Sequence, residues 1–252
     1  MVGCGWLGLL EQHLENASGH GSPAIAEPVR ASIFESEGAT AGHSSDDAET
    51  GQDRPHNNQR YLMRAFIAIE LPQDIKETIS RVQAKLKTTG ADVKWVSPSN
   101  IHLTLKFLGD IDEKTRDAVI EVMQQVASGI GQFRIKLGSI GAFPRIQSPR
   151  VIWIGLSQGH EQIKTIAQRL ETELETCGLA KENREFSSHI TIGRIRSLKN
   201  KDELAAGVSK LDGPATENLG EFLAGKITLF KSTLTPQGPI YEKLQETNLK
   251  TT

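Results

Sequence analysis

The chain of 252 residues has little that would staple it, anchor it or give it one strong charge. Its two cysteines, Cys4 and Cys177, form no Cys-x-x-Cys pair and no ligand cluster. That pattern excludes a disulfide framework, so we expect reduced thiols and an intracellular, cytoplasmic protein. No apolar run approaches the roughly 20 residues needed to cross a bilayer, so no membrane association is expected. The apolar start, Met1–Leu10, lacks a basic segment and meets Glu11 at once, which makes it a poor signal peptide. The net charge is only -2, but it hides an asymmetry. Of 31 acidic and 29 basic residues, nine and three fall in residues 1–62, which makes that segment -6 and the remainder +4. A mildly basic body suits an anionic ligand without requiring one.

Residues 18–60 are rich in Ser, Gly, Ala, Asp, Glu and His, with no sustained apolar period. Such text cannot bury enough apolar surface to offset its ordering entropy, so residues 1–62 read as a disordered extension. A short helix over residues 5–15 is compatible with the sequence, but nothing requires it. At Met63 the text changes sharply to Met-Arg-Ala-Phe-Ile-Ala-Ile-Glu. Met63 is thus an expected translation start, and residues 63–252 are the expected functional domain.

Within 63–252 the periodicities predict a strand at Ala65–Leu71 and a helix carrying Ile75, Ile79, Val82 and Leu86. A strand at Asn100–Phe107, a helix around Val119–Val126 and a strand at Phe133–Leu137 come next. The second half reads as a strand at Arg150–Leu156, a helix carrying Ile163, Ile166, Leu170 and Leu174, and a strand at Phe186–Arg194. A short helix near 201–210 and strands at Lys226–Lys231 and Ile240–Leu244 close the chain. A weak repeat runs through this series. Strand, helix and His102-Leu-Thr-Leu form one unit; strand, helix and His189-Ile-Thr-Ile form the other. Two such halves suggest two lobes facing one another across a cleft.

On a strand, successive side chains alternate faces. His102 and Thr104 therefore share one face, as do His189 and Thr191, while the intervening aliphatics enter the core. Taken singly, either histidine reads as a satisfied structural residue. Taken together, in matching places of a repeat, they supply what phosphodiester hydrolysis needs: one group to deprotonate the attacking water and one to protonate the leaving oxygen. The threonine hydroxyls can donate to the non-bridging oxygens. We expect no metal, because a catalytic zinc usually takes three protein ligands and only two histidines converge. No other cofactor is expected. His160 reads as a surface loop residue. Gly220-Glu-Phe-Leu-Ala-Gly-Lys226 resembles a P-loop start, but Ile227 stands where Ser or Thr should bind magnesium and the text enters a strand, so that reading is rejected.

The chain from Met63 to about Leu244 resembles the two-histidine phosphodiesterase superfamily, and within it the bacterial and archaeal RNA 2′,3′-cyclic phosphodiesterases, historically called 2′-5′ RNA ligases. The matching text is Arg64–Ile69, Val93-Lys-Trp-Val96, Asn100–Gly109, Gly141-Ala-Phe-Pro144, Arg150–Gly155, His189–Arg194 and Ser232-Thr-Leu-Thr-Pro236. Ser188 stands where the family often has proline. The resemblance implies an α+β fold of two lobes, each an antiparallel sheet with flanking helices, around a central cleft with a pseudo-two-fold repeat. It also implies opening of a terminal 2′,3′-cyclic phosphate to a 2′-phosphate, on RNA ends or small cyclic nucleotides. A monomer is expected. We assign His102 as proton donor and His189 as proton acceptor; the near symmetry of the motifs leaves the reverse open. Arg194 is carried over as a phosphate ligand, although it stands five after His189, off its parity, so a bend in the strand is expected. Lys106 shares the parity of His102 and is either a cleft residue or a solvated strand-end lysine. Phe107 is either a base-stacking residue or part of the core, whose parity it has. Phe186 and Trp95 read chiefly as packing residues. Two other functions stay in view: 2′-5′ RNA ligation by reversal of the same chemistry, and RNA-end binding without turnover.

Overall fold

The computed structural model describes residues 61–182, 184–213 and 219–251. The expectations of disorder before Met63 and of a start there fall mainly on residues 1–60, outside the described residues. The elements, in chain order, are β1 (Met63–Glu70), α1 (Gln73–Lys87), β2 (Val93–Trp95), a 3₁₀ turn (Pro98–Asn100), β3 (His102–Ile111), α2 (Glu113–Ser128), β4 (Phe133–Arg145) and β5 (Ser148–Gln158). They continue as α3 (His160–Thr176), β6 (Ile190–Ile195), α4 (Lys201–Leu211), β7 (Glu221–Ala224), β8 (Lys226–Thr235) and β9 (Gly238–Asn248).

The helices form where the apolar period demands. Ile75, Ile79, Val82 and Leu86 make the buried stripe of α1, and Ile163, Ile166, Leu170 and Leu174 that of α3. Pro72 precedes α1, where its missing N–H costs nothing. Asp112 caps α2 by accepting from Thr115 N at 2.8 Å, a contact typically worth about 1 kcal/mol.

The strands build two antiparallel sheets, ordered β3-β1-β8-β9 and β2-β6-β5-β4-β7. The expected α+β fold with flanking helices is the one observed. The halves of the repeat are more interwoven than the sequence suggests. In the first sheet β3 and β8 flank β1; in the second β6 and β4 flank β5. Strand β4 thus leaves the first half to pair in the second sheet, and β8 does the converse. Helices exchange too. α3, which follows a strand of the second sheet, packs against β3 and α2. α1, which follows a strand of the first, packs on α4 and reaches the second sheet through Gln83, whose side-chain amide donates to the carbonyls of Val96 at 2.8 Å and Ile192 at 2.9 Å. One continuous apolar core runs through both layers.

Several elements differ from the sequence reading; β4, for one, runs on to Arg145. β2 and β7 are short edge strands of three and four residues, too brief to show a period. β6 begins at Ile190 rather than Phe186, so His189 stands just before its strand.

Candidate active site

His102 opens β3 and His189 lies immediately before β6. The two rings are held the same way. His102 Nδ1 lies 2.7 Å from the carbonyl of Asn100, and His189 Nδ1 lies 2.8 Å from the carbonyl of Ser187. A carbonyl only accepts, so Nδ1 carries the proton in each neutral ring and Nε2 is left bare to exchange one. Both contacts span two residues and use main-chain oxygens, so no side chain announces them in the sequence.

Aromatic rings complete each mount. Phe66 lies against His102 with centroids 4.7 Å apart, and Tyr241 meets it edge-on at 5.3 Å. Phe230 stacks behind Phe66 at 5.2 Å. On the other side Phe143 meets His189 edge-on at 5.0 Å and is itself backed by Trp153 at 5.3 Å. Gly141 makes room for that indole: a Cβ there would come within 2.4 Å of the Trp153 ring. Sequence reasoning did not find Phe66, Phe143, Phe230, Tyr241 or Asn100 as parts of the site. Phe66 and Phe230 lie within the apolar runs of β1 and β8, where nothing in the sequence sets them apart.

Strand parity changes in mid-motif on both sides, and in the same place. In β3, Ala68 pairs with Thr104 but Ile67 pairs with Lys106, so Leu105 is an extra residue. In β6, Trp153 pairs with Thr191 but Ile152 pairs with Gly193, so Ile192 is extra. Each bulge lies three residues after the histidine and returns the residue at His+5 to the histidine's face. That residue is Phe107 in one half and Arg194 in the other. The bend expected near Arg194 is this bulge. Phe107 is 66% exposed, with its ring 6.1 Å from Phe66, so it is not a core residue.

The same bulge corrects the reading of Lys106 as a cleft residue or a solvated lysine. Its side chain turns to the helix side, 6% exposed, where Nζ meets Glu171 of α3 at 2.6 Å and the Ala180 carbonyl at 2.9 Å. The Glu182 amide donates to the same Glu171 oxygen. Lys106 therefore fastens α3 to β3. Lys106→Met leaves Glu171 without its cation and is expected to lower the unfolding free energy by about 3 kcal/mol, near the lower end for broken buried pairs because Glu171 is partly exposed. Urea unfolding reads this directly; an unchanged midpoint would count against the fastening role.

Burial dominates the electrostatics of both imidazoles. It holds His102 well below the ordinary 6.5, at about 4, against the opposing pull of the Asn100 carbonyl and with a smaller push from the Lys76 charge. Burial also lowers His189, opposed by the Ser187 carbonyl and helped by the charge of Arg194. Arg194 acts on Tyr241 of the first sheet as well, resisting the upward push of burial on its phenol. One guanidinium thus feels both sides of the site. Thr104 and Thr191 are half-buried beside their histidines. Among the described residues no group of three or more His, Cys, Asp or Glu gathers in a metal-binding arrangement.

The family described as LigT-like phosphoesterase matches the chain twice in tandem, over residues 69–153 and 154–241. Each match contains one His-x-Thr strand. The chain belongs to this family. The RNA 2′,3′-cyclic phosphodiesterase of Methanocaldococcus jannaschii is 39% identical over 184 residues, covering 73% of this chain and 99% of that protein. The protein of the same description from Aquifex aeolicus is 37% identical over 190 residues, covering 73% and 96%. Among solved structures, Escherichia coli LigT complexed with 3′-AMP superposes with a TM-score of 0.62 at 25% identity, covering 75% of this chain and 99% of that one. The protein TT0787 of Thermus thermophilus gives a TM-score of 0.61, also at 25% identity, covering 74% and 98%. This LigT-like chain therefore shares its two-sheet fold with proteins that match over nearly their whole length.

Proposed function

We propose that the chain is an RNA 2′,3′-cyclic phosphodiesterase that opens the cyclic phosphate at an RNA 3′ end to a 2′-phosphate. The observation that carries this reading is the paired mounting of His102 and His189, each with Nδ1 tied to a carbonyl and Nε2 bare. The names of the relatives agree with it.

The cyclic phosphodiester lies between the two Nε2 atoms. His189 takes a proton from water as the water oxygen attacks phosphorus. The bond from phosphorus to the 3′ oxygen breaks, and protonated His102 delivers its proton to that oxygen. The product carries a 2′-phosphate and a free 3′ hydroxyl, and the proton taken from water balances the one given. Thr104 and Thr191 donate to the non-bridging oxygens, and Arg194 grips them in two-point fashion. Phe107 stacks on the terminal base, a contact typically worth about 1–3 kcal/mol and tolerant of base identity.

Both histidines come from one chain, so a monomer carries a complete site. Among the described residues no helix is long and apolar enough to cross a membrane. The exposed free thiol of Cys177 suits a reducing compartment, in keeping with action in the cytoplasm. The test is an oligonucleotide ending in a 2′,3′-cyclic phosphate, incubated with the protein in EDTA. A 2′-phosphate product is expected. A 3′-phosphate, or turnover that needs added metal, contradicts the mechanism, and tight binding without turnover favours an RNA-end-binding role.

A further inference from the structure

We propose that Lys94 is a second phosphate contact, which takes the phosphodiester 5′ to the terminal nucleotide and so makes RNA chains better ligands than mononucleotides. The inference rests on the functional reading above and deepens it.

β2 is the edge strand of the second sheet, and it pairs antiparallel with β6 so that Lys94 stands directly across from Arg194. Side chains at directly opposed positions point to the same face, with Cβ atoms about 4.5–5.5 Å apart. That face is the one that holds Thr191 and Trp153, since Arg194 also pairs with Val151, two before Trp153. Both cations are exposed, and the ion pairs found among the described residues include neither of them. The register therefore sets two uncompensated cations side by side next to a phosphate site.

Like charges directly opposite one another destabilise a strand pair. A lysine that merely blocks the edge of a sheet would do so without a cation across from it. An anion between or beside the two relieves the repulsion. Arg194 is committed to the cyclic phosphate, where its charge reaches His189 and Tyr241. Lys94 lies one strand further out and cannot share that role equally. The next anion along an RNA chain is the neighbouring phosphodiester, and the ammonium suits it as a point charge. A cyclic mononucleotide has no such group.

The experiment compares equilibrium binding of a short oligonucleotide ending in a 2′-phosphate with that of a nucleoside 2′-phosphate, across a series of salt concentrations. In the unaltered protein the oligonucleotide binds more tightly. In Lys94→Ala the ratio of the two affinities is expected to fall roughly tenfold, the scale of one charged hydrogen bond. The slope of log K against log salt for the oligonucleotide should flatten by about 0.7, one phosphate's worth for a single strand. Lys94→Arg should keep both. An unchanged ratio overturns the proposal, and so does an equal loss for both ligands, which would mean that Lys94 acts on the terminal phosphate through Arg194. Turnover of the cyclic phosphate, measured separately, decides the functional reading: no turnover together with a fallen ratio sinks that reading and leaves Lys94 as an RNA contact.

Discussion

His102→Ala and His189→Ala are each expected to lower kcat on a 2′,3′-cyclic phosphate by about 10²–10⁴-fold, the usual contribution of one positioned proton transfer. On the proposed mechanism the loss belongs in kcat, because both transfers would occur in the transition state, whereas Thr104, Thr191 and Arg194 would also hold the ground-state phosphate. The double variant should be little slower than the worse single one, since a residue that has lost its proton-transfer partner contributes little alone. Single-turnover rates with saturating enzyme, read beside thermal unfolding, separate this from misfolding. His102 makes the folding control necessary, because its ring is packed against Phe66 and Tyr241. A single variant that keeps a tenth of the rate would remove that histidine from the chemistry.

Arg194→Met should lower kcat/KM by roughly 10–100-fold, the scale of charge-assisted hydrogen bonds. Arg194→Lys should recover only part, because an ammonium offers a point charge where the guanidinium offers a fork. A second effect tests the placement independently. The charge of Arg194 lowers the His189 pKa, so its removal should move the His189 ionisation upward in the pH profile of kcat/KM. Loss of affinity without that movement would put Arg194 near the substrate but away from His189.

The sequence made the site legible through its period. His-x-Thr twice, at matching points of a repeat, was enough to pick out two imidazoles and two hydroxyls, one pair at the start of β3 and the other around the start of β6. The strand and helix stripes were legible for the same reason. What escaped was what period cannot carry. A bulge inserts one residue without altering composition, so strict alternation put Lys106 on the wrong face and Phe107 in the core, and left Arg194 dependent on an expected bend. The carbonyls of Asn100 and Ser187 are main-chain groups that any residue would supply. The aromatic mount of His102 draws on β1, β8 and β9, strands distant in the chain, and only the exchange of β8 into the first sheet brings Phe230 and Tyr241 to it. The same exchange of strands and helices separates two independent lobes from the interwoven pair observed.

The measurement closest to the central claim is the pH dependence of kcat/KM for the unaltered protein and for both single histidine variants. If one imidazole acts as acid and the other as base, the profile is a bell whose limbs report the free protein's two ionisations. Burial lowers both. The midpoint of the bell must then lie on the acid side of the ordinary imidazole value of 6.5. The profile of kcat should sit higher, because the bound phosphate anion favours the imidazolium. With His102 as donor, His102→Ala should lose the alkaline limb and His189→Ala the acid limb, each leaving a single ionisation. A bell that survives in either variant, or one centred above neutrality, would contradict the pairing of these two histidines as acid and base.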